Sequence, residues 1–222
     1  MAAASAGDSI GIAYTYNEPL IGFEFVMDCA RLARAAGLVN VLVTNGYLMP
    51  GPTADLLPLV DALNIDIKSM DEGFYRQHCR GSLQPVLDFC RQAVRAKCRV
   101  EITNLLIPGL NDGDEQIARL AEWIGENLGE GVPLHLSAYR PEYRLNVPAT
   151  PIDVLLRAHG ICRQRLRYVY LGNVATGAGQ DTECPQCGAV IIRRRGYTTQ
   201  VTGLTGDACS QCGRPADIVR GS

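Results

Sequence analysis

Strand-like and helix-like patterns alternate along this chain from Ile10 to Leu171, and that alternation leaves few folds open. Ile10–Tyr16, Val39–Thr44, Leu63–Lys68, Arg99–Ile107, Leu134–Ala138 and Arg167–Leu171 are short, apolar and β-prone. Helical spacing fills the gaps over residues 20–36, 53–60, 71–78, 83–96, 112–128 and 151–166. Gly37 is placed to end the first helix, and Thr150-Pro151 reads as an N-cap followed by proline at the first helical position of the last. Six strands separated by helices predict an α/β fold, a parallel β/α barrel or partial barrel. The nearly all-apolar strands predict cover on both faces of the sheet.

At 222 residues, 47% apolar and 20% charged, the chain is ordinary for a globular protein with a sizeable core. A net charge of −2 offers no basic field, so no nucleic-acid partner is expected. No apolar run reaches membrane-spanning length, and Met1-Ala-Ala-Ala-Ser-Ala-Gly7 lacks the basic start of a signal peptide. An odd number of cysteines, nine, suits a reducing compartment, and a cytoplasmic location is expected. Regular structure is predicted to begin at Ile10, on a strand of internal character.

Past Gly172 the texture changes. Residues 174–181 are rich in glycine and alanine and read as a linker. Two knuckles follow, Cys184-Pro-Gln-Cys187-Gly and Cys209-Ser-Gln-Cys212-Gly, with β-prone Val190–Ile192 and Tyr197–Val201 between them. Two Cys-x-x-Cys turns predict a closed tetrahedral S4 site in a zinc-ribbon-like module. Zinc is the preferred ion and rubredoxin-type iron the alternative. Four thiolates leave no open position, so the site is expected to be structural. Cys29, Cys79, Cys90, Cys98 and Cys162 are isolated and read as core residues. Arg193-Arg-Arg195 reads as a solvated face.

In a β/α barrel the strands' C-terminal ends face the site. Those ends carry Asn17-Glu18, Thr44-Asn45, Asp66 with Lys68, Glu101 with Thr103 and Asn104, His135 with Ser137, Tyr139-Arg140, and Asn173. Taken singly, the asparagines are more often turn residues, and His135 a core histidine. Asp66 and Lys68 share a strand face and are compatible with a structural ion pair. Buried charge is rare without a partner, which favours a functional role for the pair.

Five segments carry a family resemblance in order: Tyr14-Thr-Tyr-Asn-Glu-Pro19, Val43-Thr-Asn-Gly-Tyr47, Asn64-Ile-Asp-Ile-Lys68, Ile107-Pro-Gly-Leu-Asn111 and Tyr170-Leu-Gly-Asn173, followed by Cys-Pro-x-Cys. Together they resemble radical S-adenosylmethionine (SAM) enzymes of the AmmeMemoRadiSam system, a group similar to the pyruvate formate-lyase activating enzyme. The resemblance covers residues 10 to 215. It implies that Asn17-Glu18 holds the ammonium of SAM and that Thr44-Asn45 lies close to it. It implies that Asp66-Ile67-Lys68 contacts the cofactor's carboxylate and ribose region. Where those enzymes have Pro-Tyr-His, this chain has Ala138-Tyr139-Arg140, so arginine replaces the histidine.

The family's cluster motif, Cys-x3-Cys-x2-Cys, does not occur in the sequence. The resemblance implies a [4Fe–4S] cluster that reduces SAM to methionine and a 5′-deoxyadenosyl radical. The expectation is therefore a partial barrel lacking its first β/α unit, inactive alone, with an open sheet edge that favours self-association. The expected layout is an irregular stretch over 1–9, the partial barrel over 10–173, the linker over 174–181 and the ribbon over 182–222. Partners would be a protein or peptide substrate, or the missing N-terminal part, with no membrane. Two other readings stand beside this one: a non-catalytic docking module, and another β/α-barrel lyase with Lys68 as Schiff-base amine.

Overall fold

The computed structural model describes residues 9–196 and 198–218. The fold is α/β, with six parallel strands alternating with helices. The chain divides into two compact units, Met1–Asn104 and Leu105–Ser222.

The first unit runs β1 (Gly11–Tyr14), α1 (Phe23–Ala35), β2 (Val39–Thr44), α2 (Pro50–Leu56), β3 (Ala62–Asp66), α3 (Leu83–Arg95) and the main part of β4 (Arg99–Leu106). Each strand is parallel to the next, in a register that aligns Tyr14 with Leu42, Leu42 with Leu63, and Ile65 with Ile102. Leu42, Ile65 and Ile102 are fully buried. On the helices, Val26, Met27, Ala30 and Ala33 of α1 and Val86, Phe89, Cys90 and Ala93 of α3 are buried.

The expectation of two covered faces is corrected here. Val39 and Val43 are 37% and 39% exposed, and Asn64, Asp66, Glu101 and Thr103 alternate with the buried residues. Strand periodicity puts these on one face, so the sheet has an apolar back and an open, polar front. Sequence reading missed this because β-branched valines stand at front positions of β2 and disguise the alternation.

One buried polar residue ties the back together. Asn40 has no exposed surface, yet its amide uses both donors and its oxygen. Its Oδ1 accepts from the Tyr14 hydroxyl at 2.9 Å, and its Nδ2 donates to the carbonyls of Ala30 and Leu59 at 3.0 and 2.9 Å. Its backbone N–H donates to Asp61 Oδ2 at 2.7 Å. β1, β2, α1 and the turn before β3 thus share one side chain.

Several element ends differ from expectation. β1 stops at Tyr14, because Tyr16, at φ 31°, has left extended backbone. The first helix opens as a 3₁₀ turn over Pro19–Gly22. The second, expected over 53–60, starts at Pro50, a residue suited to the first turn where its missing N–H costs nothing. The stretch 71–78 is a helical turn, Glu72–Phe74, followed by a π-turn, Tyr75–Cys79, that ends on Arg80 in left-handed backbone at φ 53°.

The second unit contains α4 (Asp114–Asn127), β5 (Leu134–Ala138), α5 (Ile152–Cys162) and β6 (Val169–Gly172), with β5 and β6 parallel. Thr150 is not the cap of α5: Pro151 holds that place. The Thr150 hydroxyl instead donates to the Leu106 carbonyl at 2.6 Å and accepts from Tyr139 N at 2.8 Å.

After β6 come β7 (Thr182–Glu183), β8 (Val190–Arg195) and β9 (Thr198–Val201), an antiparallel sheet, and the hairpin β10 (Leu204–Thr205) with β11 (Ala208–Cys209). Residues 1–8 of the irregular N-terminal stretch, and Tyr197 of the expected last strand, lie outside the described residues. Arg194 departs from the solvated-face reading. It is half-buried, donates to Thr182 Oγ1 at 2.6 Å, and lies over the Tyr170 ring at 5.2 Å. Tyr170 also stacks on His135 at 5.3 Å between centroids.

Replacing Asn40 by alanine strands the Tyr14 hydroxyl and frees two buried carbonyls from their donors. We expect a loss of about 3 kcal/mol of stability. Urea unfolding checks this, and an unchanged midpoint would remove Asn40 from its central position.

Candidate functional site

Glu18 organises the first unit's rim. It follows Tyr16-Asn17, a cis peptide, and caps the 3₁₀ turn by accepting from Leu20 N at 3.1 Å. The same oxygen, Oε1, accepts from Thr44 Oγ1 at 2.6 Å, while Oε2 accepts from Asn45 N at 2.7 Å. Three donors therefore fix the carboxylate across the ends of β1 and β2. A carboxylate offers about four lone-pair sites, which leaves one on Oε2 for a cationic ligand.

Thr44 is buried, and its Oγ1 in turn accepts from Gly46 N at 3.1 Å. Asn45 Oδ1 accepts from Tyr47 N at 2.8 Å, closing a turn. Asn17 is exposed beside Glu18. The sequence-predicted pair Glu18 and Thr44-Asn45 is thus brought together directly.

Asp66 ends β3, and Lys68 stands two residues on. Their side chains form an ion pair with Nζ 2.5 Å from Oδ2. Both stay about one-third exposed on the open front, at 32% and 37%. Ile67 between them is fully buried, so its side chain points to the back. Its backbone is fixed from two sides: its N–H donates to the Thr103 carbonyl at 3.0 Å, and its carbonyl accepts from Asn104 Nδ2 at 2.7 Å.

Two supports escaped sequence reasoning in their roles. Asn104 also reaches the Lys68 carbonyl at 3.2 Å, and Tyr75 Oη accepts from Lys68 N at 3.1 Å. Burial, above all, pushes the Tyr75 phenol well above its ordinary pKa. A polar residue in a strand's apolar row marked Asn104; nothing local marked Tyr75.

A cavity of about 510 Å³ opens here, lined by Glu18, Asn45, Tyr47, Lys68, Tyr75 and Arg80 among others. Arg140 belongs to the second unit, where it is exposed and its Nη2 lies 3.5 Å from the Asn173 carbonyl.

The C-terminal quartet is the second candidate site. The Sγ atoms of Cys184, Cys187, Cys209 and Cys212 all lie within 4.8 Å of one another. Cys184–Cys212 and Cys187–Cys209 are 3.6 and 3.7 Å apart. Four sulfurs about 2.3 Å from one tetrahedral ion would stand about 3.8 Å apart, so the quartet fits a single ion. The knuckles are built alike. Gly188 and Gly213, both at φ 74°, let their N–H groups return to the Cys184 and Cys209 carbonyls at 2.8 and 2.9 Å.

Burial raises the Cys184 thiol, but the N–H groups of Cys187 and Gln186, with the neighbouring thiols, bring its pKa to about 6, while Cys187, hydrogen-bonded to the other three sulfurs, is pushed up to about 12. The N–H groups of the turns thus favour the thiolate at Cys184 and Cys209. Ile191 and Ile192 of β8 pack behind the sulfurs.

The five other thiols form no such group. Burial pushes Cys90 and Cys162 up to about 12, which suits inert core residues. Among the described residues, the quartet is the one cluster of three or more cysteines, histidines or carboxylates with metal-ligand spacing. A [4Fe–4S] cube places each thiolate on its own iron, farther apart than four sharing one ion. The quartet therefore does not fit that cluster.

Residues 1–121 match the radical SAM superfamily model. The chain belongs to the radical SAM superfamily. It is 40% identical over 213 residues to an uncharacterized protein of Methanocaldococcus jannaschii, covering 94% of this chain and 63% of that protein. It is 28% identical over 168 residues to the pyruvate formate-lyase 1-activating enzyme of Escherichia coli, covering 69% of this chain and 68% of the enzyme. A crystallised domain of the pyruvate formate-lyase-activating enzyme of Bacteroides vulgatus superposes with a TM-score of 0.63 at 21% identity, over 73% of this chain and 99% of that one. Streptococcus suis SuiB bound to S-adenosylmethionine superposes at 0.61 with 11% identity, over 78% of this chain and 41% of that one. These likenesses make the chain a radical SAM protein similar to pyruvate formate-lyase activating enzyme, a family that works with SAM and an iron–sulfur cluster. Among the described residues, no helix is long and apolar enough to cross a membrane.

For the quartet, the expected result is one tetrahedral ion per chain. Cobalt(II) substitution should give intense visible bands with thiolate-to-metal charge transfer. Cys209→Ser should remove them and lower the thermal midpoint; full metal content in that variant would exclude a shared site.

Proposed function

We propose that this chain is the SAM-binding part of an activating-type radical SAM enzyme of the AmmeMemoRadiSam kind. The observation that carries the reading is Glu18, whose carboxylate is fixed by three protein donors with one lone-pair site left over. That site suits the ammonium of SAM, which would form a charge-assisted bond. Asn17 and Thr44-Asn45 flank it, Lys68 offers an ammonium to the cofactor's carboxylate, and Asp66 orients that lysine. A bound, reduced iron–sulfur cluster would supply the electron for cleavage of SAM at its sulfonium; this chain's own residues would orient SAM. Zinc in the C-terminal quartet would serve structure alone.

The cysteines for a [4Fe–4S] cluster are proposed to come from elsewhere, so that the chain alone does not cleave SAM. Their carrier would dock beside β1, the end strand of the sheet among the described residues, with Ile21, Phe25 and Leu32, 85%, 71% and 58% exposed, as candidate apolar contacts. A cytoplasmic location and a protein or peptide substrate complete the reading. The Schiff-base alternative is disfavoured because Asp66 engages Lys68 Nζ at 2.5 Å.

Calorimetry with SAM tests the cofactor assignment. Glu18→Gln should weaken binding roughly tenfold or more, as loss of a charge-assisted bond implies. Equal affinity in the variant sinks the assignment. Separately, the chain reconstituted with iron, sulfide and dithionite should give no 5′-deoxyadenosine, and its appearance would mean that the cluster is held here after all.

A further inference from the structure

The cavity beside Glu18 extends past the groups assigned to SAM. Lining residues outside those groups include Tyr47, His78 and Arg80, with Leu20 and Val86 as apolar wall. The charges in this wall are not balanced. Glu18 is engaged by three donors, and Lys68 is paired with Asp66. Arg80 makes no ion pair with any described residue: the salt bridges of the first unit engage Arg31, Arg34, Lys68, Arg76 and Arg91 instead.

The backbone that presents Arg80 is unusual in two ways. It follows a π-turn, a form rare in proteins and frequent at functional sites. It also takes left-handed backbone at φ 53°, a conformation that costs a non-glycine residue energy and persists only when its surroundings impose it. The next residue, Gly81, returns its N–H to the Tyr75 carbonyl at 3.2 Å. A Cβ there would stand 3.1 Å from the Tyr47 ring, so glycine lets Tyr47 lie against the turn. The Tyr47 hydroxyl lies 3.4 Å from Ser82 Oγ. The turn therefore holds a guanidinium and a phenol, both exposed, at one mouth of the cavity that Glu18 and Lys68 also line.

We propose that this mouth is the substrate subsite and that it takes a carboxylate. The anion meets Arg80, with Tyr47 as second donor, while the substituent behind it packs on Leu20 and Val86. A guanidinium matches a carboxylate with two parallel bonds, which selects acids over their amides. The inference rests on the cofactor reading of Glu18 and Lys68, because it is their closeness to the same cavity that makes the ligand a substrate.

Phenylacetate and phenylacetamide, equal in shape and different in charge, are the probes. Each is titrated into the full chain, with and without saturating SAM, and followed by amide NMR shifts of residues 45–47 and 78–81. The acid should bind roughly tenfold more tightly than the amide, the size expected for one charge-assisted contact. Arg80→Gln should abolish the preference, Arg80→Lys should keep part of it, and neither should change SAM affinity. Equal binding of acid and amide overturns the proposal, as does a preference that survives Arg80→Gln. Displacement of SAM by the acid, one for one, overturns it too, since the mouth would then be the cofactor's own carboxylate site. Unchanged SAM binding in Glu18→Gln would instead remove the cofactor reading, and the substrate role with it, while the acid preference is read independently.

Discussion

A carboxylate that accepts three hydrogen bonds from its own protein is a poor adaptor and a good anchor. Glu18 is such a group, and the geometry of the first unit's rim follows from it. Its bonds to Leu20 N, Thr44 Oγ1 and Asn45 N join the chain leaving β1 to the chain leaving β2. The side chain loses its conformational freedom when the protein folds. A ligand ammonium then meets an acceptor already aimed at it, and less ordering cost falls on the binding step. Asn104 and Tyr75 do the same for the backbone of Ile67 and Lys68.

The metal module follows a similar rule at lower complexity. Its knuckles place thiolates by backbone N–H groups and by two glycines in left-handed conformation. Nothing in that arrangement needs a distant residue. Its connection to the rest of the second unit does: Tyr168 donates to Asp217 at 2.9 Å, and Arg194 covers Tyr170. The Asp217 carboxyl is partly desolvated, yet its bonds from Arg214 and Tyr168 bring it below its ordinary range.

This contrast accounts for what the sequence made legible. The quartet could be read from spacing because both knuckles are local. The six-fold alternation could be read because buried strands and amphipathic helices leave periodic traces. Glu18, Asp66 and Lys68 stood out as charges at strand ends, and the resemblance ordered them. The open front of the sheet was hidden, since Val39 and Val43 look like core residues and are not. Asn40 was hidden because its three partners are supplied by tertiary contact with Tyr14, Ala30 and Leu59. The π-turn was hidden because a helix and a π-turn share the same residue preferences, and only the position of the next acceptor separates them. Thr150 shows the converse case: a strong local capping signal yielded to the Leu106 carbonyl and Tyr139 N.

The two-faced sheet has a consequence for how this molecule can change. Leu42, Ile65 and Ile102 are locked into the helical layer, where a lost methylene is felt at once. Asn64, Glu101 and Thr103, on two of the same strands, lie on the polar front, where Thr103 Oγ1 donates to Asn64 Oδ1 at 2.8 Å. Adjacent positions are therefore under different physical constraints, one set by packing and the next by what meets the open front. A lineage could trade one reactant for another by rewriting alternate letters of three strands, and leave its hydrophobic centre untouched.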